Sequence, residues 1–132
     1  MDQRYTQLLK GTLDMCLLSI IAQAPSYGYE MVQKLQQYGM ELVSEGSIYP
    51  LLSRLERSGL IQGRFVPSEM GPPRKYYHIL PGGREGLARW AEEWWRFSAA
   101  VDAVLRPWKE GVLRSQGEME GCLDESHKPG SR

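Results

Sequence analysis

Apolar residues recur with a helical period in three stretches of the first sixty positions. Leu13, Leu17, Ile20 and Ile21 form a wide apolar face, broadened by Leu9, Met15, Cys16 and Leu18, so the spacing predicts a largely buried helix over residues 8–23. Gly11-Thr12 is placed to cap it, Asp14 suits the positive end of its dipole, and Ala24-Pro25 ends it. Tyr27, Met31, Leu35 and Tyr38 mark a second helix over 27–38, with Ser26 as candidate N-cap and Gly39 closing it. Gly28 near its start points either to a close approach by another backbone or DNA, or to a helix that begins after it. Tyr27 and Tyr29 lie at this helix's N-terminus, a natural place for a phosphate. Ile48, Leu51, Leu52 and Leu55 recur at i, i+3, i+4 and i+7, giving a third helix that Ser58-Gly59 stops. Its start is open between Ser44 and Ser47. The reading leans to Ser44, which leaves Pro50 inside the helix and an irregular first turn.

The period then shortens to two. Residues 61–66 and 75–80 read as strands, and the eight residues between them carry Pro67, Pro72, Pro73 and Gly71, a hairpin with a stiffened tip. Alternation puts Tyr77 and Ile79 on one face and Tyr76, His78 and Leu80 on the other, with His78 structural or solvent-facing. Helix, sharp stop and hairpin suggest a winged helix-turn-helix in which the third helix does the reading. Its outer side carries Ser47, Tyr49, Pro50, Ser53, Arg54 and Arg57, which suit phosphates and base edges. An ordinary amphipathic surface helix is the plainer alternative.

Pro81-Gly82-Gly83 opens a long last helix to about residue 106. Leu87, Trp94, Val101 and Trp108 stand seven apart, and Trp90, Phe97 and Val104 follow the first three by three positions. This is an a/d heptad seam, too apolar for its own chain to cover together with neighbours such as Trp95, so a second copy across a two-fold axis is expected to pack on it. Arg106-Pro107 is expected to end the helix, and residues 109–132 read as a polar, mobile tail. The fold class is therefore mainly α with a small β-hairpin, divided as 8–80 DNA-binding domain, 81–108 dimerisation helix and 109–132 tail.

Charge refines this reading only locally. The formal net charge is zero, yet between Arg54 and Lys75 five basic residues (Arg54, Arg57, Arg64, Arg74, Lys75) face two acidic ones (Glu56, Glu69), a local +3. Two cysteines make neither a metal-ligand spacing nor a disulfide scaffold, and Cys16 reads as a core residue. The polar opening decapeptide resembles no signal peptide, and the apolar run 15–22 is too short to span a bilayer, so a cytoplasmic protein without membrane contact is expected. No nucleophile–base constellation, Gly-rich phosphate loop or metal cluster is present in the sequence, so neither an enzyme nor a cofactor is expected.

The motifs Leu9-Lys10-Gly11-Thr12-Leu13-Asp14, Tyr27-Gly28-Tyr29-Glu30, residues 44–52 (Ser44 to Leu52), Arg54-Leu55-Glu56, Gly59-Leu60-Ile61 and residues 71–77 (Gly71 to Tyr77) occur in one register. In this order the chain resembles the PadR family of bacterial transcriptional regulators, in its small subfamily. The resemblance implies a homodimer of two winged helix-turn-helix units, commonly a repressor at palindromic operators. Carried over by position, Ser47, Tyr49, Ser53, Arg54 and Arg57 would face DNA, Arg74 and Lys75 would contact it from the wing, and Lys10 and Tyr27 would touch its backbone. Leu87, Trp90, Trp94, Phe97, Val101 and Val104 would form the dimer seam. Trp94, with Trp90, Trp95 and Phe97 as neighbours, would line a space for a planar hydrophobic effector. Pro81 stands where the family commonly has a capping Thr or Ser, and Glu69 makes the wing less basic. A winged helix serving only protein–protein contact, or a sensor centred on the aromatic seam, are the competing functions.

Overall fold

The computed structural model describes residues 3–124, with side chains through residue 117. Its elements are α1 (Gln3–Gln23), β1 (Ser26–Tyr27), α2 (Gly28–Gln37), α3 (Glu45–Arg57), β2 (Ile61–Ser68), β3 (Gly71–Ile79) and α4 (Pro81–Asp124). The strands form an antiparallel sheet in the order β1-β3-β2. Three helices, a hairpin wing and a long C-terminal helix make this a winged helix-turn-helix.

One apolar core holds α1, α2 and α3 to the sheet. Leu13, Leu17, Leu18, Ile20 and Ile21 of α1 meet Met31, Val32 and Leu35 of α2 and Ile48, Leu52 and Leu55 of α3, with Val43, Ile61 and Tyr77 completing it. Cys16 is half-buried beside this core, and burial, then the nearby Asp14 carboxylate, pushes its thiol pKa up. It is a packing residue with little thiolate.

α2 and α3 end alike. Gly39 and Gly59 take φ of 110° and 78°. After α3, the Gly59 and Leu60 N–H groups donate to the Glu56 and Leu55 carbonyls, both at 3.0 Å. This paired closure needs a left-handed residue, and glycine adopts it without a Cβ penalty.

Four expectations are corrected. α1 begins at Gln3, and Thr12 caps nothing: its hydroxyl donates to the Leu8 carbonyl at 2.9 Å, one turn back inside the helix. One glycine at position 11 is too small a penalty to interrupt so long a run of helix-forming residues. Ser26 is not the cap of α2. It is fully buried in β1, which the sequence analysis missed, and its hydroxyl donates to the Ala24 carbonyl at 2.9 Å. Tyr27 is the N-cap instead, its N–H donating to Glu30 Oε1 at 3.3 Å. A strand of two residues has no period to read; it exists because Ser26 and Tyr27 pair with Tyr77 and Tyr76. The hairpin strands also run through the prolines, so the tip is only Glu69-Met70. Val66 opposes Arg74 and Ser68 opposes Gly71, so Pro67 faces two prolines across an irregularity that needs no ladder donors from them.

The fourth correction concerns the C-terminus. α4 does not stop before Pro107 but continues to Asp124, so residues 109–124 are helical. A proline removes one helical hydrogen bond and bends the helix locally, while the residues beyond it, such as Leu113, Arg114 and Gln116, propagate it well. Residues 125–132 of the expected tail lie outside the described residues. At its other end, Pro81 is the first helical residue, where its missing N–H costs nothing, and the Gly83 and Arg84 N–H groups donate to the Leu80 carbonyl at 2.8 and 3.1 Å. The chain divides into two compact units, Met1–Ala91 and Glu92–Arg132. In the first, Leu87 and Trp90 pack partly on the core. In the second, Trp94, Trp95, Phe97, Val101 and Val104 are exposed.

The start of α4 lies close against the α3–β2 turn. A Cβ on Gly83 would overlap the Leu60 carbonyl oxygen and come within 2.8 Å of Ile79 Cδ1, whereas one on Gly11 would meet nothing within 4 Å. Gly83→Ala is therefore expected to destabilise the protein by about 1–3 kcal/mol, as forced overpacking does. Gly11→Ala should stabilise it by about 0.5–1 kcal/mol, because the position is helix interior. Urea denaturation measures both, and destabilisation by Gly11→Ala would contradict an uninterrupted α1.

Candidate nucleic-acid interface

The outer face of α3 is set by how the helix begins. Ser44 is the N-cap, with the Ile48 N–H donating to its carbonyl at 3.2 Å. The Ser47 hydroxyl accepts from the Ser44 N–H and donates to the Ser44 carbonyl, both at 2.8 Å, and the two hydroxyls stand 3.1 Å apart. Ser47 is thus engaged in the cap while remaining at the surface. Its bonds hold the first turn together where Pro50, five residues into the helix, has no N–H to give to Gly46.

With Ile48, Leu52 and Leu55 buried, Tyr49, Ser53, Arg54 and Arg57 point outward. Tyr49 is the most constrained of them. Its ring lies on Gly28, where a Cβ would come within 2.5 Å of its hydroxyl oxygen and 2.8 Å of Cζ. The hydroxyl donates to Glu45 Oε1 at 3.3 Å, and partial burial followed by the Glu45 carboxylate raises its pKa, so Tyr49 stays a neutral donor. Neither reading of Gly28 holds as stated: α2 begins at Gly28 itself, and what lies close to it is the Tyr49 side chain, not another backbone or DNA. Lower on α3, Arg57 Nη1 donates to Ser53 Oγ at 3.0 Å, orienting the guanidinium along the helix surface.

A groove of about 740 Å³ runs between α1 and the start of α3, and Lys10, Ser44, Ser47 and Arg54 stand at it above an apolar floor that includes Leu13 and Leu51. Among the described residues, neither the Lys10 ammonium nor the Arg54 guanidinium has a hydrogen-bond or ion-pair partner in the protein. The wing cations differ. Arg74 lies over the Tyr27 ring at 4.7 Å and its Nη1 donates to the Tyr27 hydroxyl at 3.2 Å, while Tyr76 packs edge-on against the same ring at 5.2 Å. This fixes Arg74 with its charge still available. Lys75 instead turns inward, its ammonium 3.2 Å from Glu56 Oε1.

The fold thus brings together Lys10, Ser47 and Arg54 at one groove, Tyr49, Ser53 and Arg57 along α3, and Tyr27 with Arg74 at the wing base. It takes Lys75 away from them. Sequence reasoning overlooked Glu56, which holds Lys75 and also accepts the Gly63 N–H at Oε2, 3.0 Å away. A signal was there: a carboxylate in the last turn of a helix opposes the dipole and so calls for a partner. Among the described residues, no group of three or more His, Cys, Asp or Glu is placed to hold a metal ion, and no helix is long and apolar enough to cross a membrane.

The profile of the transcriptional regulator PadR-like family matches residues 17–89. The chain belongs to this family. A PadR-like transcriptional regulator from Bacillus cereus is 47% identical and superposes with a TM-score of 0.69, over 75% of this chain and 96% of that one. A Streptococcus transcriptional regulator is 41% identical with a TM-score of 0.66, covering 74% and 96%. A PadR family regulator from Eggerthella lenta is 31% identical with a TM-score of 0.69, covering 77% and 88%. The PadR-like family and these neighbours are regulators of transcription, not enzymes, and in this winged fold β2–β3 is the wing that follows α3. Glu69, at the wing tip beside a fully open Met70, is the departure that bears on this PadR-like wing, since it places a negative charge where phosphates would approach.

The Gly63 N–H, ahead of the Lys75 ammonium, holds the Glu56 carboxyl below the ordinary glutamate range, against a smaller opposing effect of burial. A carboxylate with a depressed folded pKa stabilises the fold above its unfolded pKa, and that stability is lost as pH falls through the folded one. The stability gap between the native protein and Glu56→Gln is therefore expected to be full at neutral pH and to close as pH drops from the ordinary glutamate range to below it. Denaturant titrations across that window check this, and a gap independent of pH would show that the ionised carboxylate contributes nothing.

Proposed function

We propose that the protein is a homodimeric repressor that reads a palindromic operator with α3 and grips its backbone with the wing. The observation that carries this reading is the outer face of α3 in a PadR-like chain: Tyr49, Ser53, Arg54 and Arg57 stand outward on a helix whose other side is locked into the core. Tyr49, Arg54 and Arg57 would reach base edges and phosphates, with Ser47 and Ser53 as shorter contacts. Lys10 and Tyr27 would touch the backbone, and Arg74 would meet it from the wing. Two copies would pair through the seam of Trp94, Phe97, Val101 and Val104, with Leu87 and Trp90 at its base; the exposure of the first four supports this, because water is an unfavourable neighbour for so much apolar surface.

Selection of bound duplexes from a random pool is expected to return an inverted repeat with half-sites about 10 bp apart or a multiple of it. Arg57→Ala or Tyr49→Ala should weaken that site about 10–100-fold, the range of a good base contact, and random DNA much less. Equal losses on both would defeat the assignment of α3 as the reading helix. Sedimentation of Trp94→Ser/Phe97→Ser should give a monomer; a dimer unchanged by this pair would move the interface elsewhere.

A second reading, release by a planar hydrophobic effector, rests on Trp94, Trp95 and Phe97 lying open on one segment of α4 while Trp90 is half-covered. Quenching of tryptophan emission by flat aromatic compounds at micromolar levels supports it, and constant emission across a broad panel removes it.

A further inference from the structure

Three features converge at Glu56. It sits in the last turn of α3, where unpaired carbonyls disfavour a carboxylate. Both of its oxygens nevertheless point to the wing: Oε2 accepts the Gly63 N–H of β2 at 3.0 Å, and Oε1 accepts from the Lys75 ammonium of β3 at 3.2 Å. Lys75 arrives there by crossing the face of the hairpin. The register pairs Gly63 with Tyr77 and Phe65 with Lys75, so Lys75 stands diagonally across from Gly63. A Cβ on Gly63 would fall on Lys75 Cε and lie 3.2 Å from its Cδ and Cγ, so the missing side chain is the path of the lysine stem. The ammonium then rests 5.4 Å from the Tyr77 ring centre and 5.8 Å from that of Phe65.

We propose that Glu56 is a positioning residue for DNA binding, clasping the wing to the recognition helix through Gly63 and Lys75, and that Lys75 serves this clasp instead of a phosphate. An isolated surface ion pair does little. This one differs because a single carboxylate bonds both strands of one hairpin, so the angle between wing and α3 is set by it. Glu56 would face a repulsive phosphate backbone if it acted alone, and its charge is offset by the very lysine that DNA would otherwise attract. The proposal rests on the DNA-binding reading above and names the residue that aligns its two contact surfaces.

The sign of one substitution decides it. Gly63→Ala places a methyl in the path of a flexible lysine, which frees the cation without changing any charge. Glu56→Gln frees it by removing the attraction. A Lys75 that contacts phosphate would then bind the selected operator more tightly, with the salt-dependence slope raised by about one phosphate, ~0.9. The clasp predicts the opposite: Gly63→Ala, Glu56→Gln and Lys75→Met each weaken operator binding, by about tenfold for residues in one network. It also predicts that Glu56→Gln/Lys75→Met binds no worse than the weaker single variant. Tightening by either freeing substitution, or fully additive losses in the double variant, would overturn the proposal. Amide hydrogen exchange gives a readout without DNA: in Glu56→Ala the Gly63 amide should lose protection while the Leu17 and Ile21 amides keep theirs. Unchanged protection at Gly63 would also overturn it. A native protein with no preference for any duplex in the selection defeats the DNA-binding reading and this proposal together, before any variant is made.

Discussion

The burial of Ile48, Leu52 and Leu55 determines the rotation of α3 about its own axis, and the make-up of its outer face depends on that rotation. These three side chains are almost without solvent contact, and each would lose about 1.5–3 kcal/mol of transfer free energy if turned outward. A rotation by one residue, about 100° on a helix, would carry Tyr49 inward and expose Leu52. No contact on the outer face is strong enough to compete with that. The polar face is therefore a consequence of the apolar one, and its chemistry can vary without disturbing the helix beneath it.

Rotation alone leaves the helix free to slide and tilt, and its two ends remove that freedom in different ways. At the start, the Ser44–Ser47 exchange of hydrogen bonds closes the first turn on itself, and the seating of Tyr49 on Gly28 ties it to α2. At the end, Gly59 turns the chain sharply into β2 while Leu60 also receives the first amide of the approach to α4, the Leu80 N–H donating to its carbonyl at 3.0 Å. Gly83 permits α4 to lie against that same carbonyl. The turn that follows α3 is thus the place where α3, the wing and the start of α4 are joined, and Glu56 stands just before it.

The helical core was legible because it has a period: Leu13, Leu17, Ile20 and Ile21 of α1, Met31 and Leu35 of α2 and Ile48, Leu52 and Leu55 of α3 are buried as predicted. In α2, however, the expected Tyr38 is 79% exposed and the buried Val32 was missed. The features that were not legible have no period. β1 is two residues long and is defined by partners fifty positions away, Tyr76 and Tyr77. Thr12 looks like a cap in sequence but bonds backward within α1, because a threonine hydroxyl is equally able to serve either role. Prolines suggested a long loop at the wing tip, yet each sits where the ladder is interrupted or needs no donor, so the strands pass through them. At the candidate interface, the residue types were readable and their engagements were not. Lys75 and Arg74 are neighbours of like charge in the sequence, but alternation sends one to Glu56 and the other to Tyr27.

That division bears on how a chain of zero net charge can suit a polyanion. Of the five cations between positions 54 and 75, Lys75 is neutralised by Glu56, which leaves Arg54, Arg57, Arg64 and Arg74 against Glu69 alone. Every cation left is an arginine, and three are already oriented, Arg57 by Ser53, Arg64 by Gln62 and Arg74 by Tyr27. Orienting a guanidinium before contact removes part of the side-chain entropy that binding would otherwise cost. Few charges held in place therefore favour a defined register on DNA over diffuse attraction to any duplex, since diffuse attraction grows with the number of phosphates neutralised and register grows with how well each contact is aimed. The Glu56 contacts from α3 to both strands of the wing fit the same logic: with little excess charge to hold a complex together, the proposed contact surfaces on α3 and the wing would have to be aligned before DNA arrives.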